Sequence, residues 1–100
     1  MAEVIWTEPA LQELDAIAEY IALDKPTAAS ALVQEVFDKI ERLENFPKSG
    51  RIPQELPDSV YREVVVTPCR IFYREDGQRV LVLYVMREER QLRAYMLGNS

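Results

Sequence analysis

Arginine and tyrosine side chains in the second half of the chain are the candidates for a catalytic or binding role. Arg70 and Tyr73 share one strand-like run, and Arg87, Arg90 and Arg93 follow at the end of the next run and beyond it. Two guanidinium groups and a tyrosine hydroxyl around one groove could hold a scissile phosphate, since the guanidinium supplies charge and the hydroxyl supplies a proton. These residues therefore raise the hypothesis of phosphate chemistry.

The same arginines have a structural alternative, because carboxylates lie close to them in the sequence. Glu63, Glu75, Glu88 and Glu89 are placed to form ordinary surface ion pairs. Such pairs are worth less than about 1 kcal/mol each. The residues alone favour this ion-pair interpretation over the catalytic one.

Composition excludes several classes of catalytic and metal site. The chain has no histidine, and Cys69 is its only cysteine, which removes disulfides, Cys/His zinc sites and histidine-based triads. Glycine-rich phosphate loops, nucleophile elbows and acids at metal-ligand spacing are also absent from the sequence. We therefore expect no cofactor and no metal, and we expect Cys69 to be a small buried hydrophobic residue.

Charge is distributed unevenly along the chain. The net charge of −5 argues against direct DNA binding by this chain alone, since phosphate neutralisation needs clustered cations. Residues 1–50 hold four bases and ten acids, whereas residues 51–100 hold eight bases and seven acids. Every base of the second half is arginine, whose rigid donor fork suits carboxylate or phosphate groups. This bias indicates a recognition face in the second half.

Hydrophobic periodicity predicts a single α+β domain over residues 1–100. Apolar residues at helical spacing predict two helices, and later β-favouring runs predict an antiparallel meander. Leu92, Tyr95 and Met96 predict a short helix after the last strand. The predicted elements are a strand at 4–6, helices at 7–23 and 26–45, strands at 60–67, 69–74 and 79–86, and a helix at 88–97.

The order β-α-α-β-β-β predicts a two-helix hairpin packed on one face of a small antiparallel sheet. The place of the N-terminal strand in that sheet does not follow from the pattern. The run at 80–85 is apolar at both parities, which predicts a strand covered on both faces. The predicted core residues are Val33, Val36, Ile40, Ile71, Val82 and Leu83.

Hydropathy and the first residues predict a cytoplasmic protein without a membrane anchor. Glu3 stands where a secretory signal would carry bases. No apolar run approaches the roughly 20 residues that a membrane-spanning helix needs.

The order of several short segments along the chain is distinctive. They are DKPTAA at 24–29, LENFPKSGR at 43–51, YRE at 61–63, RIFYR at 70–74 and VMR at 85–87. This order resembles the RelE/ParE superfamily of bacterial toxins over nearly the whole chain. The fold of that superfamily, a helical hairpin on an antiparallel sheet, agrees with the fold predicted from periodicity.

The resemblance implies the toxin of a type II toxin–antitoxin pair, which a small cognate antitoxin neutralises. RelE-like members cut messenger RNA in the ribosome with Lys, Arg and Tyr side chains, whereas ParE-like members poison DNA gyrase. The nearest matches to the RelE-type Arg and Tyr positions are Arg70, Arg87 or Arg90, and Tyr95. The lysine positions have no match, because no lysine follows Lys48.

The ParE branch is favoured by the missing late lysines, the acidic net charge and the long helical hairpin. We therefore predict a protein inhibitor of DNA gyrase rather than an enzyme. The alternatives are a ribosome-dependent mRNA endonuclease and a non-toxic module that binds its antitoxin. The predicted antitoxin- or target-binding residues are Arg62, Arg70, Tyr73, Arg87 and Arg90.

Overall fold

Two helices packed on a four-stranded sheet make up residues 1–98, the part of the chain that the computed structural model describes. No helix in this part is long and apolar enough to cross a membrane. The elements are β1 (Glu3–Trp6), α1 (Glu8–Ala22), α2 (Pro26–Glu41), a 3-10 turn (Arg42–Glu44), β2 (Arg62–Val66), β3 (Cys69–Asp76), β4 (Arg79–Arg87) and a second 3-10 turn (Ala94–Leu97).

The sheet has the strand order β1-β4-β3-β2. β2, β3 and β4 are antiparallel neighbours, which confirms the predicted meander. β1 lies on the other side of β4 and runs parallel to it, with Ile5 opposite Leu81. The sheet is therefore mixed rather than antiparallel throughout. Parallel neighbours need a long crossover connection, and the helical hairpin supplies it by carrying the chain across one face of the sheet.

Thr7 joins the first helix to the middle of the sheet. Its hydroxyl accepts a hydrogen bond from the Ala10 N–H at 3.4 Å and donates one to the Val82 carbonyl at 2.7 Å. Thr7 is thus the N-cap of α1, which begins at Glu8 directly after β1 ends. This cap turns the chain from the sheet onto its face, and threonine is one of the residues preferred at this position.

The face of the sheet under the helices holds an aliphatic core. Val36 and Ile40 of α2 pack there with Ile71 and Val82 of the sheet, and all four are buried as predicted. Val33 differs, because it is only half-buried. It lies at the outer seam of the hairpin, where a groove separates the two helices.

The opposite face of the sheet is also covered, by the loop before β2 and the segment after β4. Phe72, Leu83 and Met86 project from this face and pack with Leu92 and Leu97 of the C-terminal segment. This arrangement confirms that β4 is covered on both faces. The chain supplies the second cover from its own loop and C-terminal segment.

Several predicted boundaries differ from the structure, and at two of them a side-chain hydrogen bond competes with regular structure. The helix predicted at 88–97 is reduced to Ala94–Leu97, since the Leu92 N–H donates to the Glu55 carboxylate at 2.9 Å. The second helix ends at Glu41 and continues as a 3-10 turn. β2 begins at Arg62 rather than at residue 60, because the Ser59 hydroxyl and N–H hold a turn on the Leu56 carbonyl.

Candidate recognition site around Arg70 and the C-terminal segment

Arg70 projects from β3 on the face opposite the helices, and its side chain is only 9% exposed. Its Nε donates to Glu63 at 2.7 Å and its Nη2 to the second Glu63 oxygen at 3.2 Å. Nη1 and Nη2 also donate to the two Glu55 oxygens at 2.7 and 2.8 Å. A fifth contact joins Nη1 to the Arg90 carbonyl at 3.4 Å. Together these contacts use the five N–H donors of a guanidinium group.

Glu55 ties three parts of the chain together. Its carboxylate binds Arg70 of β3 and accepts the Leu92 N–H of the C-terminal segment, while Glu55 itself belongs to the loop before β2. The hydrogen bonds from Arg70 lower the pKa of Glu55 from 4.5 to about 2, against the opposing effect of burial. The same carboxylates raise the pKa of Arg70. Glu55 and Arg70 are therefore both ionised at neutral pH.

Glu63 was expected in a surface ion pair, but its side chain is only 1% exposed. Its carboxylate is shared between Arg70 and the more exposed Arg51, whose Nε lies 3.3 Å from Oε2. The backbones of Arg51 and Glu63 also exchange hydrogen bonds, at 3.1 and 2.7 Å. A buried carboxylate of this kind needs charged partners to offset the loss of water. Arg70 stacks further on the Phe72 ring, 4.9 Å from its centroid.

Tyr73 faces the helix side and is completely buried. Its hydroxyl donates to the Pro47 carbonyl at 2.8 Å and accepts the Gly50 N–H at 2.9 Å. A side chain at Gly50 would lie 2.6 Å from that hydroxyl, so only glycine allows the loop to approach so closely. Burial raises the pKa of Tyr73. Arg62 supports the same loop, because its Nη1 donates to the Gly50 carbonyl at 2.8 Å.

Arg87, Arg90 and Tyr95 lie at the surface. Arg87 pairs with Glu89 at 2.7 Å, which raises the pKa of Arg87. The side chain of Arg90 is exposed, and only its carbonyl contacts Arg70. Tyr95 is 79% exposed in the 3-10 turn. These three residues are accessible to a partner molecule.

Cys69 is completely buried in the core under the helices, as expected from the sequence. Burial raises the pKa of its thiol to about 11. The thiol is therefore protonated at neutral pH, and the thiolate is the reactive form of cysteine. Cys69 acts as a packing residue.

The predicted groove of two arginines and a tyrosine around a phosphate is not formed. Arg70 and Tyr73 lie on opposite faces of the sheet, and both are saturated by partners within the chain. Arg70 meets Arg90 through a backbone carbonyl and not through a second guanidinium. The two buried residues position the loop and the C-terminal segment, whereas Arg87, Arg90 and Tyr95 remain on the outside.

Glu55 and Gly50 are the important residues that the sequence analysis missed. A signal for Glu55 did exist, because Arg70 stands within an otherwise apolar strand and a buried arginine needs a carboxylate partner. Nothing in the spacing selects Glu55, which lies fifteen positions away on a loop. Gly50 lies in the loop after the second predicted helix, and its close contact with Tyr73 depends on the tertiary fold.

Comparisons with known proteins agree with this architecture. The model of the family described as "ParE toxin of type II toxin-antitoxin system, parDE" matches residues 4–92. "Toxin RelE2" of Caulobacter vibrioides is 35% identical over 79 residues, which cover 77% of this chain and 85% of that protein. "Putative toxin Y4kP" of Sinorhizobium fredii is 36% identical over 88 residues, which cover 86% of this chain and 88% of that protein.

One solved structure extends the likeness to three dimensions. It is described as "Chromosomal ParDE TA system from P. aeruginosa" and superimposes with a TM-score of 0.72 at 25% sequence identity. The match covers 89% of this chain and 98% of that one. The family match over most of the chain, the relatives above 30% identity and the shared fold lead to one conclusion: the chain belongs to the ParE toxin family of type II toxin–antitoxin systems.

Proposed function

We propose that this chain is neutralised by a cognate antitoxin and that its target is DNA gyrase. Gyrase acts on DNA in the cytoplasm, so the proposal also places the toxin there. Arg87 and Arg90, with the less accessible Arg62, are the proposed contact residues. Arg70 and Tyr73 serve the interface indirectly, by holding the loop and the C-terminal segment that surround it.

The hydrogen bonding of Arg70 is the observation that favours gyrase over RNA as the target. A nuclease would need this guanidinium to face a phosphate, but its donors are taken by Glu55, Glu63 and a backbone carbonyl. Two carboxylates at 2.7 Å would also repel a phosphate brought to the same place. Inhibition of a protein such as gyrase does not need a guanidinium that is free to bind a phosphate.

RNA cleavage by attack of the 2′-hydroxyl further requires a base, a charge stabiliser and an acid. Tyr73 cannot supply either proton transfer from its buried position, since both hydrogen-bonding roles of its hydroxyl are occupied. The exposed Tyr95 is the feature that favours the endonuclease alternative. It lies on the same short segment as Arg90, which is also exposed.

A paired assay separates the candidate functions. Purified toxin is added to a gyrase supercoiling reaction and to a ribosome-programmed messenger RNA cleavage reaction, with relaxation by topoisomerase I as the control for general interference with DNA. We expect loss of supercoiling, intact RNA and unchanged relaxation. Arg90→Ala should weaken the inhibition, whereas Arg79→Ala, at the start of β4, should not.

Each contrary result selects a different function. RNA cleavage that disappears in Tyr95→Phe, with gyrase unaffected, would establish the endonuclease and overturn the gyrase proposal. Inactivity in both assays, together with harmless expression in cells, would identify a non-toxic module that binds its antitoxin. Failure to capture any antitoxin would contradict the proposed pairing.

A further inference from the structure

The outer edge of β1 is closed at its start and open over the rest of the strand. The N–H groups of Glu3 and Thr7 donate to carbonyl groups on the β4 side, at 2.9 and 3.0 Å. Backbone groups along a strand alternate in direction, so the N–H and C=O groups of Val4 and Trp6 point away from β4. In the described part of the chain, no backbone hydrogen bond joins Val4 or Trp6 to a segment beyond the sheet.

The chain itself covers only the beginning of this edge. The Ala2 N–H donates to the Glu44 carbonyl at 2.7 Å, which ties the 3-10 turn after α2 to the residue before β1. Beyond that bond, a groove of about 240 Å³ lies between β1 and the end of α2. Outward backbone groups beside an open groove are what an added strand requires.

Apolar side chains line one part of the groove. They are Val4 and Trp6 of β1 with Phe37 and Ile40 of α2. The Trp6 and Phe37 rings contact each other in a tilted pair, with centroids 4.9 Å apart. Trp6 is half-buried and Phe37 is 37% exposed. The ring pair therefore presents apolar surface to a side chain that enters the groove.

Acidic side chains complete the lining. Glu41 and Glu44 line the groove, and a neighbouring depression shares both of them, adds Asp38 and has Arg42 as its base. Glu41, Glu44 and Asp38 form no ion pair with any described residue. This surplus of negative charge attracts a basic partner. It repels a second copy of the chain, whose net charge is −5.

We propose that the open edge of β1 binds an extended basic segment of gyrase as a fifth strand of the sheet. The proposal rests on the proposed function, because it takes gyrase to be the target. A protein that binds DNA needs lysine and arginine to neutralise phosphates, so gyrase carries the charge that this edge fits. The segment bonds the outward backbone groups of Val4 and Trp6. Its bases meet Glu41 and Glu44, and an apolar side chain contacts the Trp6–Phe37 pair.

Amide hydrogen exchange tests the added strand directly. The probe is purified gyrase holoenzyme, mixed with the full-length toxin and compared with the free toxin. The Val4 and Trp6 amides should exchange quickly in the free toxin. They should slow by roughly tenfold or more in the complex, since exchange then requires the added strand to open. The Ile5 amide, which faces β4, is the internal reference.

Charge reversal tests the basic character of the segment. Glu41→Lys combined with Glu44→Lys should weaken gyrase binding by roughly tenfold or more, with the loss reduced at high salt. Glu35→Lys combined with Asp58→Lys makes the same change in net charge at exposed positions outside the groove. This control should change the dissociation constant by less than about twofold. Equal melting temperatures for both double variants would show that folding is not the cause.

The outcomes separate this inference from the proposed function. Gyrase inhibition without protection at Val4 and Trp6, or binding that the groove variant weakens no more than the control does, overturns the inference and leaves gyrase as the target. Protection given by a purified antitoxin and not by gyrase would overturn it in favour of the antitoxin. Protection that rises with the concentration of free toxin would overturn it in favour of a second copy. If wild-type toxin neither binds nor inhibits gyrase, the proposed function fails and the inference falls with it.

Discussion

The two faces of the sheet are stabilised in different ways. Under the helices, the core is almost entirely aliphatic, and Val36, Ile40, Ile71 and Val82 exclude water without directional contacts. On the opposite face, a few large apolar side chains lie beside the buried charges of Arg70 and Glu63. Two segments without regular secondary structure cover that second face.

This difference shows how irregular segments can be given a fixed position. Burial is non-directional and roughly proportional to area, so the amphipathic helices need only the correct spacing to dock. The loop before β2 and the C-terminal segment also bury apolar side chains, Leu92 and Leu97 among them, but most of their length lies outside helices and strands. Directional hydrogen bonds also hold them in place, because the Glu55 carboxylate accepts from the Arg70 guanidinium and from the Leu92 N–H. The exposed residues proposed for recognition, Arg90 among them, therefore depend on one charge cluster.

Removing Arg70 should cause the largest change in the free energy of unfolding. Arg70→Met leaves Glu63 buried with only the exposed Arg51 as a partner, and such a loss typically costs about 3–5 kcal/mol. Urea denaturation measures the change in the free energy of unfolding. Adding Glu63→Gln should restore part of the loss, because the unpaired charge is gone. A loss for Arg70→Met no larger than that of an exposed ion pair would contradict the burial of the cluster.

Truncating a side chain in the core under the helices should lower the free energy of unfolding by a similar amount, through a different mechanism. Ile40 is 1% exposed, and Ile40→Ala should lose about 2–5 kcal/mol through lost burial and a residual cavity. Ile40→Val is the matched control, with an expected loss of about 0.5–1.5 kcal/mol. The pH dependence of unfolding should be unchanged in both variants. A changed pH profile would mean that the two faces are coupled more tightly than the contacts indicate.

The smallest of the three effects should be the pH dependence that Glu55 contributes. Its pKa is about 2 in the folded chain and has an ordinary value of 4.5. A lowered pKa stabilises the fold above pH 4.5, and this contribution should decline as the pH falls from there towards 2. Denaturation across this range measures it. Glu55→Gln should flatten that part of the profile, cost about 1.5–3 kcal/mol at neutral pH and speed amide exchange at Leu92.

A Glu55→Gln protein that keeps the wild-type profile would assign the acid sensitivity to other carboxylates. Normal Leu92 protection in that variant would show that burial alone holds the C-terminal segment. Either result would mean that the two faces of the sheet are stabilised more similarly than the pattern of hydrogen bonds indicates.

The two long helices, the strands and their order are predictable from the amino-acid sequence alone. Apolar residues at helical spacing, the cap at Thr7 and the start at Pro26 locate both helices, because these signals act between near neighbours. The apolar run of β4 likewise predicted a strand that is covered on both faces. The family followed from the order of short segments along the chain, which is also a property of sequence alone.

The position of β1 in the sheet, the cover of the second face and the accessibility of each arginine follow from the tertiary fold. These outcomes depend on contacts between residues far apart in the chain, such as Glu55 with Leu92 and Gly50 with Tyr73. A local pattern carries no information about such partners. The sequence therefore does not distinguish Arg70 from Arg90. In the structure, Arg70 is buried and paired with carboxylates, whereas the side chain of Arg90 is exposed.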